Sequence, residues 1–289
     1  GEGGVRAKTN AAESFIAAYR TEAERATLLQ EIQHIQAVGQ DMSYDVLSGD
    51  EARRVEPLLS PEIGAAIILR GQRFINPGAY VNALADSVID RGGKLITGAA
   101  VTGIHDQGHG VRISTSAGAV DTFDSVVIAN GIWLGSLARP FCVKRLVQAG
   151  RGYSFTVDVD RTPNGPVYLP AARVACTPID GALRVAGMME FRSPEAPLDQ
   201  RRIKAIATSA QPLLAGADMD SRRDEWVGSR PVTTDGLPLI GATRSPRVFA
   251  AGGHGMWGIT LGPATGRYLA ETIVTGRVAP ELAPFNPLR

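Results

Sequence analysis

Apolar positions recur along the chain at two periods, one helical and one strand-like. Over 20–39, "RTEAERATLLQEIQHIQAVG", they return at near-helical spacing and stop at Gly39, a residue that suits the position after a helix. The stretch 44–59, "YDVLSGDEARRVEPLL", predicts a short strand and then a helix capped by Ser48 or Asp50 and ended by Pro57 or Pro61. Over 76–93, "NPGAYVNALADSVIDRGG", Asn76 supplies a cap, Pro77 fits the first turn, and Gly92-Gly93 ends the helix. "KLITGAAVTGIHDQ", "GVRISTSAG" and "AVDTFDSVVIANG" then alternate in the strand manner with glycine at the turns. "DSVVIANG" reads as a buried parallel-type strand feeding a loop, followed by a short helix, "IWLGSLA". From Arg151 to about Arg192 the pattern is a β meander; 198–214 predicts a helix, and "RVFAAG" a strand before a last helix that starts near Thr260. The opening "GEGGVRAKTN" predicts neither helix nor strand.

The mixture of βα units with a separate meander predicts α/β plus α+β architecture in two interleaved domains. The expected division is 75–140 and 225–289 for a ligand-binding α/β domain, and 1–74 and 141–224 for the other. A net charge of +1 offers no electrostatic case for nucleic acid or an anionic surface. The longest apolar runs, such as "IGAAIIL", are too short to span a bilayer, and no signal-peptide pattern opens the sequence, so a cytoplasmic protein, at most peripheral to a membrane, is expected. Cys142 and Cys176 have no metal-like or redox-like spacing and read as buried free thiols; no metal site is expected.

Three stretches carry candidate chemistry. "VVIANG" (126–131) delivers a loop of small residues at the carboxyl end of a strand, where open α/β sheets hold ligands, although an ordinary tight turn has the same pattern. In "GSRPVTTDGLPLIG" (228–241), Arg230 precedes a loop punctuated by Pro231, Gly236, Pro238 and Gly241. A guanidinium on a fixed loop suits bidentate capture of a carboxylate; a solvated strand-end arginine is the plainer alternative. "GGHGMWGITLGPATG" (252–266) places six glycines between a strand and a helix. Such a backbone admits a flat ligand, and the helix start favours negative charge on it; a turn that only packs strand on helix is the other reading. The loops at 129–131 and 252–258 are expected to meet in one crevice, from opposite strand ends.

Together these strings resemble the carboxyl-terminal signature of the flavin-dependent D-amino-acid oxidase and dehydrogenase superfamily, which includes glycine oxidase and D-amino-acid dehydrogenases. The signature is "SRPVTTDGLPLIG" followed by "VFAAGGHGMWGITLGPATGRYLAETI"; "FINPGAYVNALADSVIDRGGKLITGAAVTGI" and "DSVVIANGIWLGSL" are similar to its middle segment. The resemblance extends from about Tyr19 to the end. It implies FAD as cofactor and Arg230 as the partner of the substrate carboxylate and the main catalytic contributor. It implies that the chain around Gly253, His254, Gly255, Met256, Trp257, Gly258, Ile259 and Thr260 lines the flavin. Val101 matches an adenine-side contact, and the loop Ala129, Asn130, Gly131 with nearby Trp133 matches the flavin-side strand end. Tyr168, with Met256 and Trp257, would face the substrate; a core tyrosine on a meander strand fits Tyr168 as well. An apolar Met256, where glycine-oxidase-like members often carry a charge, resembles the dehydrogenase-like branch.

The expected activity is oxidative deamination of D-amino acids, or related small amino or imino acids, by hydride transfer to flavin. In the family an amino-terminal strand, GxGxxG turn and helix hold the ADP half of FAD. "GEGG" at the start follows no strand, so that unit is expected to be missing here or supplied by another chain. The alternative from another class is a non-catalytic remnant or partner subunit that does not bind FAD by itself.

Overall fold

The structure is a computed structural model and describes residues 4, 5 and 9–289. Within the opening stretch, residues 1–3 and 6–8 lie outside the described residues, whereas Asn10–Ala11 pairs with Arg73–Phe74 as a short antiparallel ladder, contrary to expectation. The chain forms two compact units, one of 1–92, 152–189 and 197–227, the other of 93–151, 190–196 and 228–289. Compared with the expected division, 75–92 and 225–227 cluster with the first unit, and 141–151 and 190–196 with the second.

An eight-stranded mixed sheet has the order Ala217–Thr233, Val147–Val159, Ala182–Phe191, Val174–Ile179, Val167–Leu169, Phe15–Tyr19, Ala65–Leu69, Tyr44–Ser48. In the first unit one face of this sheet packs the main core, which includes Ile16, Ile68, Phe155, Leu169 and Leu183. The helix Gln200–Ala210 covers it with Ile203, Ile206, Ala207 and Ala210, the i, i+3, i+4, i+7 stripe of an amphipathic helix. The sequence caps are in place: Ser48 and Glu51 form a capping box on Gly49–Val55, and Asn76 accepts from the Ala79 amide at the head of Pro77–Asp90.

The second unit is built around a three-stranded sheet ordered Leu239–Ala242, Val248–Gly252, Val126–Ile128. Val248–Gly252 runs antiparallel to the first strand and parallel to the last, with Ala250 opposite Ile128. Strand alternation sorts the side chains into two layers. Leu239, Val248 and Ala250 meet Ile128, Leu134, Ala138 and Phe141 on one face; Ile240 and Phe249 meet Leu269 and Leu282 on the other. Leu134–Ala138 and Gly258–Thr275 are the helices that supply Leu134 and Leu269. A separate antiparallel meander comprises Val101–Asp106, Val111–Thr115 and Val120–Phe123.

Two expectations change here. The strand expected from Lys94 begins only at Val101, because Leu95 and Ile96, 61% and 70% exposed, have no strand to pair with among the described residues. Of the two free cysteines, Cys176 is buried and its thiol is pushed up to about 12 by burial, but Cys142 is only half-buried. Among the described residues no helix is long and apolar enough to cross a membrane, and no cluster of three or more His, Cys, Asp or Glu forms a metal site.

Candidate flavin and carboxylate site

Both small-residue loops leave the same edge of the sheet in the second unit. Val126–Ile128 and Val248–Gly252 are adjacent and parallel, so their carboxyl ends lie side by side. The two loops therefore start side by side from the same strand ends rather than from opposite ones, as parallel pairing requires. The two junctions share one local design. Gly131 (φ 61°) opens the 3-10 turn Gly131–Trp133 before Leu134–Ala138, and Gly255 (φ 55°) opens the turn Gly255–Trp257 before Gly258–Thr275. The latter helix starts two residues before Thr260 and has no side-chain cap and no acid in its first turn. Its first amides and positive dipole end are left for an anionic group.

The glycines of the loop do different work. A Cβ on Gly252 would lie 2.7 Å from Leu134 Cδ1, and one on Gly253 would lie 2.7 Å from Thr233 Cγ2, so these two allow close packing inside the unit. Gly131 and Gly255 take positive φ and have open space where a Cβ would stand. The packing reading of the glycine stretch holds at Gly252 and Gly253.

Arg230 sits near the end of the long strand Ala217–Thr233 and is half-buried, with its pKa lowered by burial. Two residues on, Val232 forms a β-bridge with His254, which joins the arginine's strand to the glycine loop. His254 shares a 2.9 Å hydrogen bond between Nε2 and Thr265 Oγ1, and burial lowers its pKa, so the ring is a neutral strut between loop and helix. Met256, Trp257, Gly258, Ile259 and Thr260 are exposed.

Val101, Ala129, Asn130 and Trp133 line one largely apolar cleft of about 440 Å³, beside Ile104, Val127 and Leu137. Asn130 Nδ2 donates to the Trp133 carbonyl, while its buried Oδ1 has no protein partner. The largely apolar cleft and the open backbone at Gly131 and Gly255 leave room for a flat ring, so the residues present fit FAD. The Trp133 indole donates to Glu195 Oε1 at 3.3 Å. Tyr168 lies in the first unit on Val167–Leu169, half-buried beside Ala17, Tyr19, Ala65 and Leu28.

Sequence reasoning did not single out Asp235, Thr233, Leu134, Thr265 or Arg289. Asp235 accepts a bidentate pair from Arg289, and its carboxyl is held far below the usual range, first by that hydrogen bonding. The "TDG" spacing was a signal for the turn, since Asp235 also accepts from the Leu237 amide; no local signal marks its partner 54 positions away.

The family model described as FAD dependent oxidoreductase matches residues 9–272. A D-amino acid dehydrogenase from Xylella fastidiosa (strain 9a5c) is 30% identical over 261 residues, covering 88% of this chain and 60% of its own length. The chain therefore spans about three fifths of that relative. The crystal structure of glycine oxidase from Geobacillus kaustophilus superposes with a TM-score of 0.87 at 24% identity, over 99% of this chain and 77% of that one. Dithionite-reduced L-alpha-glycerophosphate oxidase from Mycoplasma pneumoniae, with FAD bound, gives 0.83 at 20% identity, over 93% of this chain and 74% of that one.

Proposed function

Because the chain belongs to the FAD-dependent oxidoreductase family, we propose that it carries the flavin-ring and substrate-carboxylate parts of an enzyme that oxidises D-amino acids. The observation that supports this most is the β-bridge between Val232 and His254, which ties the strand of Arg230 to the glycine loop within one unit. The dehydrogenase relative and the apolar Met256 favour D-amino acids over glycine as the substrate class.

FAD, when bound, would supply the two-electron acceptor for oxidation at the substrate α-carbon, and the loops around Gly131 and Gly255 would hold it. Arg230 holds the carboxylate through its planar fork and so fixes which C–H is presented; orientation supplies much of the rate. The uncapped amides at the start of Gly258–Thr275 offset negative charge near the loop. Gly131 and Gly255 leave the ring room, and Val101, Ala129, Asn130 and Trp133 line the cleft beside it. Met256 and Trp257 present apolar surface to the substrate side chain. The substrate loses a hydride and a proton, and the imino acid takes up water to give a 2-oxo acid and ammonia. No residue of this unit is needed as a strong base if the amine binds neutral.

Release of 2-oxo acid by the flavin-loaded protein tests the substrate class. D-alanine is expected to turn over at least about tenfold faster than L-alanine, since the fixed fork admits one orientation of the α-hydrogen, and faster than glycine, which has no side chain to meet the apolar surface of Met256 and Trp257. Faster turnover of L-alanine, or of glycine, would overturn the assignment.

A further inference from the structure

The turn that follows Arg230 is held by the side chain of Arg289. Arg289 Nε and Nη2 donate to Asp235 Oδ2 and Oδ1 at 2.9 and 3.0 Å. Nη2 also donates to the Leu237 carbonyl and Nη1 to the Pro238 carbonyl, each at 2.9 Å, and Nη1 donates to the Asn286 carbonyl at 3.1 Å. These five bonds use the full donor set of a guanidinium. Arg145 adds a weaker ion pair to Asp235 at 3.5 Å.

That turn occupies a particular place. Thr233 Oγ1 donates to the Leu237 carbonyl at 2.8 Å and so closes the loop from inside. The Thr233 methyl group and the Leu239 amide are the nearest atoms to the α-carbon face of Gly253. Leu239 then pairs with Gly252. Together with the Val232–His254 bridge, the turn 233–238 therefore ties the strand of Arg230 to the backbone of the glycine loop. Its outer rim, Thr234 to Leu237, is exposed, so side-chain packing alone does not fix it. The guanidinium supplies what packing does not, with the arginine side chain itself only 18% exposed.

We propose that Arg289 is a positioning residue that fixes Arg230 relative to the glycine loop by clamping the turn 233–238. This rests on the reading of Arg230 as the carboxylate ligand. Lysine cannot substitute, because one ammonium cannot span both carboxylate oxygens and two carbonyls of the turn. The clamp touches neither the reacting atoms nor the flavin loop directly, so its loss shows in carboxylate binding rather than in cofactor retention.

The test uses the flavin-loaded protein and acetate as a carboxylate probe, with the Kd read from the perturbation of the flavin absorption per bound flavin. R289A and R289K are both expected to raise the acetate Kd, and the KM of a D-amino acid, on the order of tenfold to a hundredfold, with flavin content and spectrum as in the parent. D235N keeps one acceptor and is expected to give a smaller rise of the same kind; it serves where R289A does not accumulate. If R230A weakens acetate but R289A, R289K and D235N do not, the clamp is not a positioning device while Arg230 keeps its role. If R230A leaves the acetate Kd unchanged, the reading of Arg230 fails and the clamp proposal falls with it. Loss of flavin in R289A in proportion to loss of fold, with parental Kd in the remaining holoprotein, also overturns the proposal.

Discussion

Arg230→Ala is expected to lower kcat/KM for a D-amino acid by roughly 30- to several-thousand-fold while flavin content stays at the parental level. The guanidinium is half-buried, and burial already disfavours its charge, so a carboxylate docked there forms a charge-assisted pair in a partly dry setting. Removing one partner of such a pair costs about 2–5 kcal/mol, much of it from the substrate carboxylate left without its cation. Arg230→Lys keeps the charge but not the planar fork, so KM is expected to rise markedly with a smaller fall in kcat. An amine without a carboxylate provides the internal control. It binds poorly to the parent and loses little more in the mutant. Stopped-flow or steady-state rates on both substrates check this; parental efficiency of Arg230→Ala on D-amino acids would mean that the carboxylate is held elsewhere.

Gly255→Val is expected to abolish flavin binding and to leave the fold in place. Gly255 has φ of 55° and nothing within 4 Å of where its Cβ would stand. A valine there meets no protein atom at its first carbon, so folding is disturbed only by backbone strain of about 1–3 kcal/mol. Its branched side chain projects into the space that the open glycine leaves, and a β-branched residue resists positive φ. Gly253→Val does not separate the two effects. Its Cβ would meet Thr233 Cγ2 at 2.7 Å, so the packing of the turn is disturbed along with the cofactor. Flavin absorbance per protein, measured beside far-ultraviolet circular dichroism, checks the distinction. Full flavin content in a folded Gly255→Val protein would remove the loop from the cofactor site.

Local chemistry was the legible part of the sequence. Asn76-Pro77 and Ser48 with Glu51 announce helix starts because the capping partners lie within three residues. The dense proline and glycine of 231–241 announced a fixed turn after Arg230 because such residues restrict the backbone themselves. What fixes that turn was not legible: the Asp235–Arg289 pair spans 54 positions and depends on the fold being formed. The glycine run gave its meaning only in part. Gly252 and Gly255 look alike in sequence, yet one is small because of Leu134 and the other faces open space. The alternation from Lys94 suggested a strand, but a strand also needs a neighbour, and pattern alone does not supply one. The relation between the two loops was read in the wrong sense because loop composition does not encode whether their strands pair parallel; the register of Ala250 with Ile128 does.

The most direct measurement is the visible spectrum of the purified holoprotein under anaerobic conditions before and after addition of a D-amino acid. The expected result is a flavin band that bleaches with the D-amino acid, does not bleach with its L-form, and bleaches far more slowly in Arg230→Ala. A protein that stays colourless in excess FAD, or a flavin band that no amino acid bleaches, would contradict it.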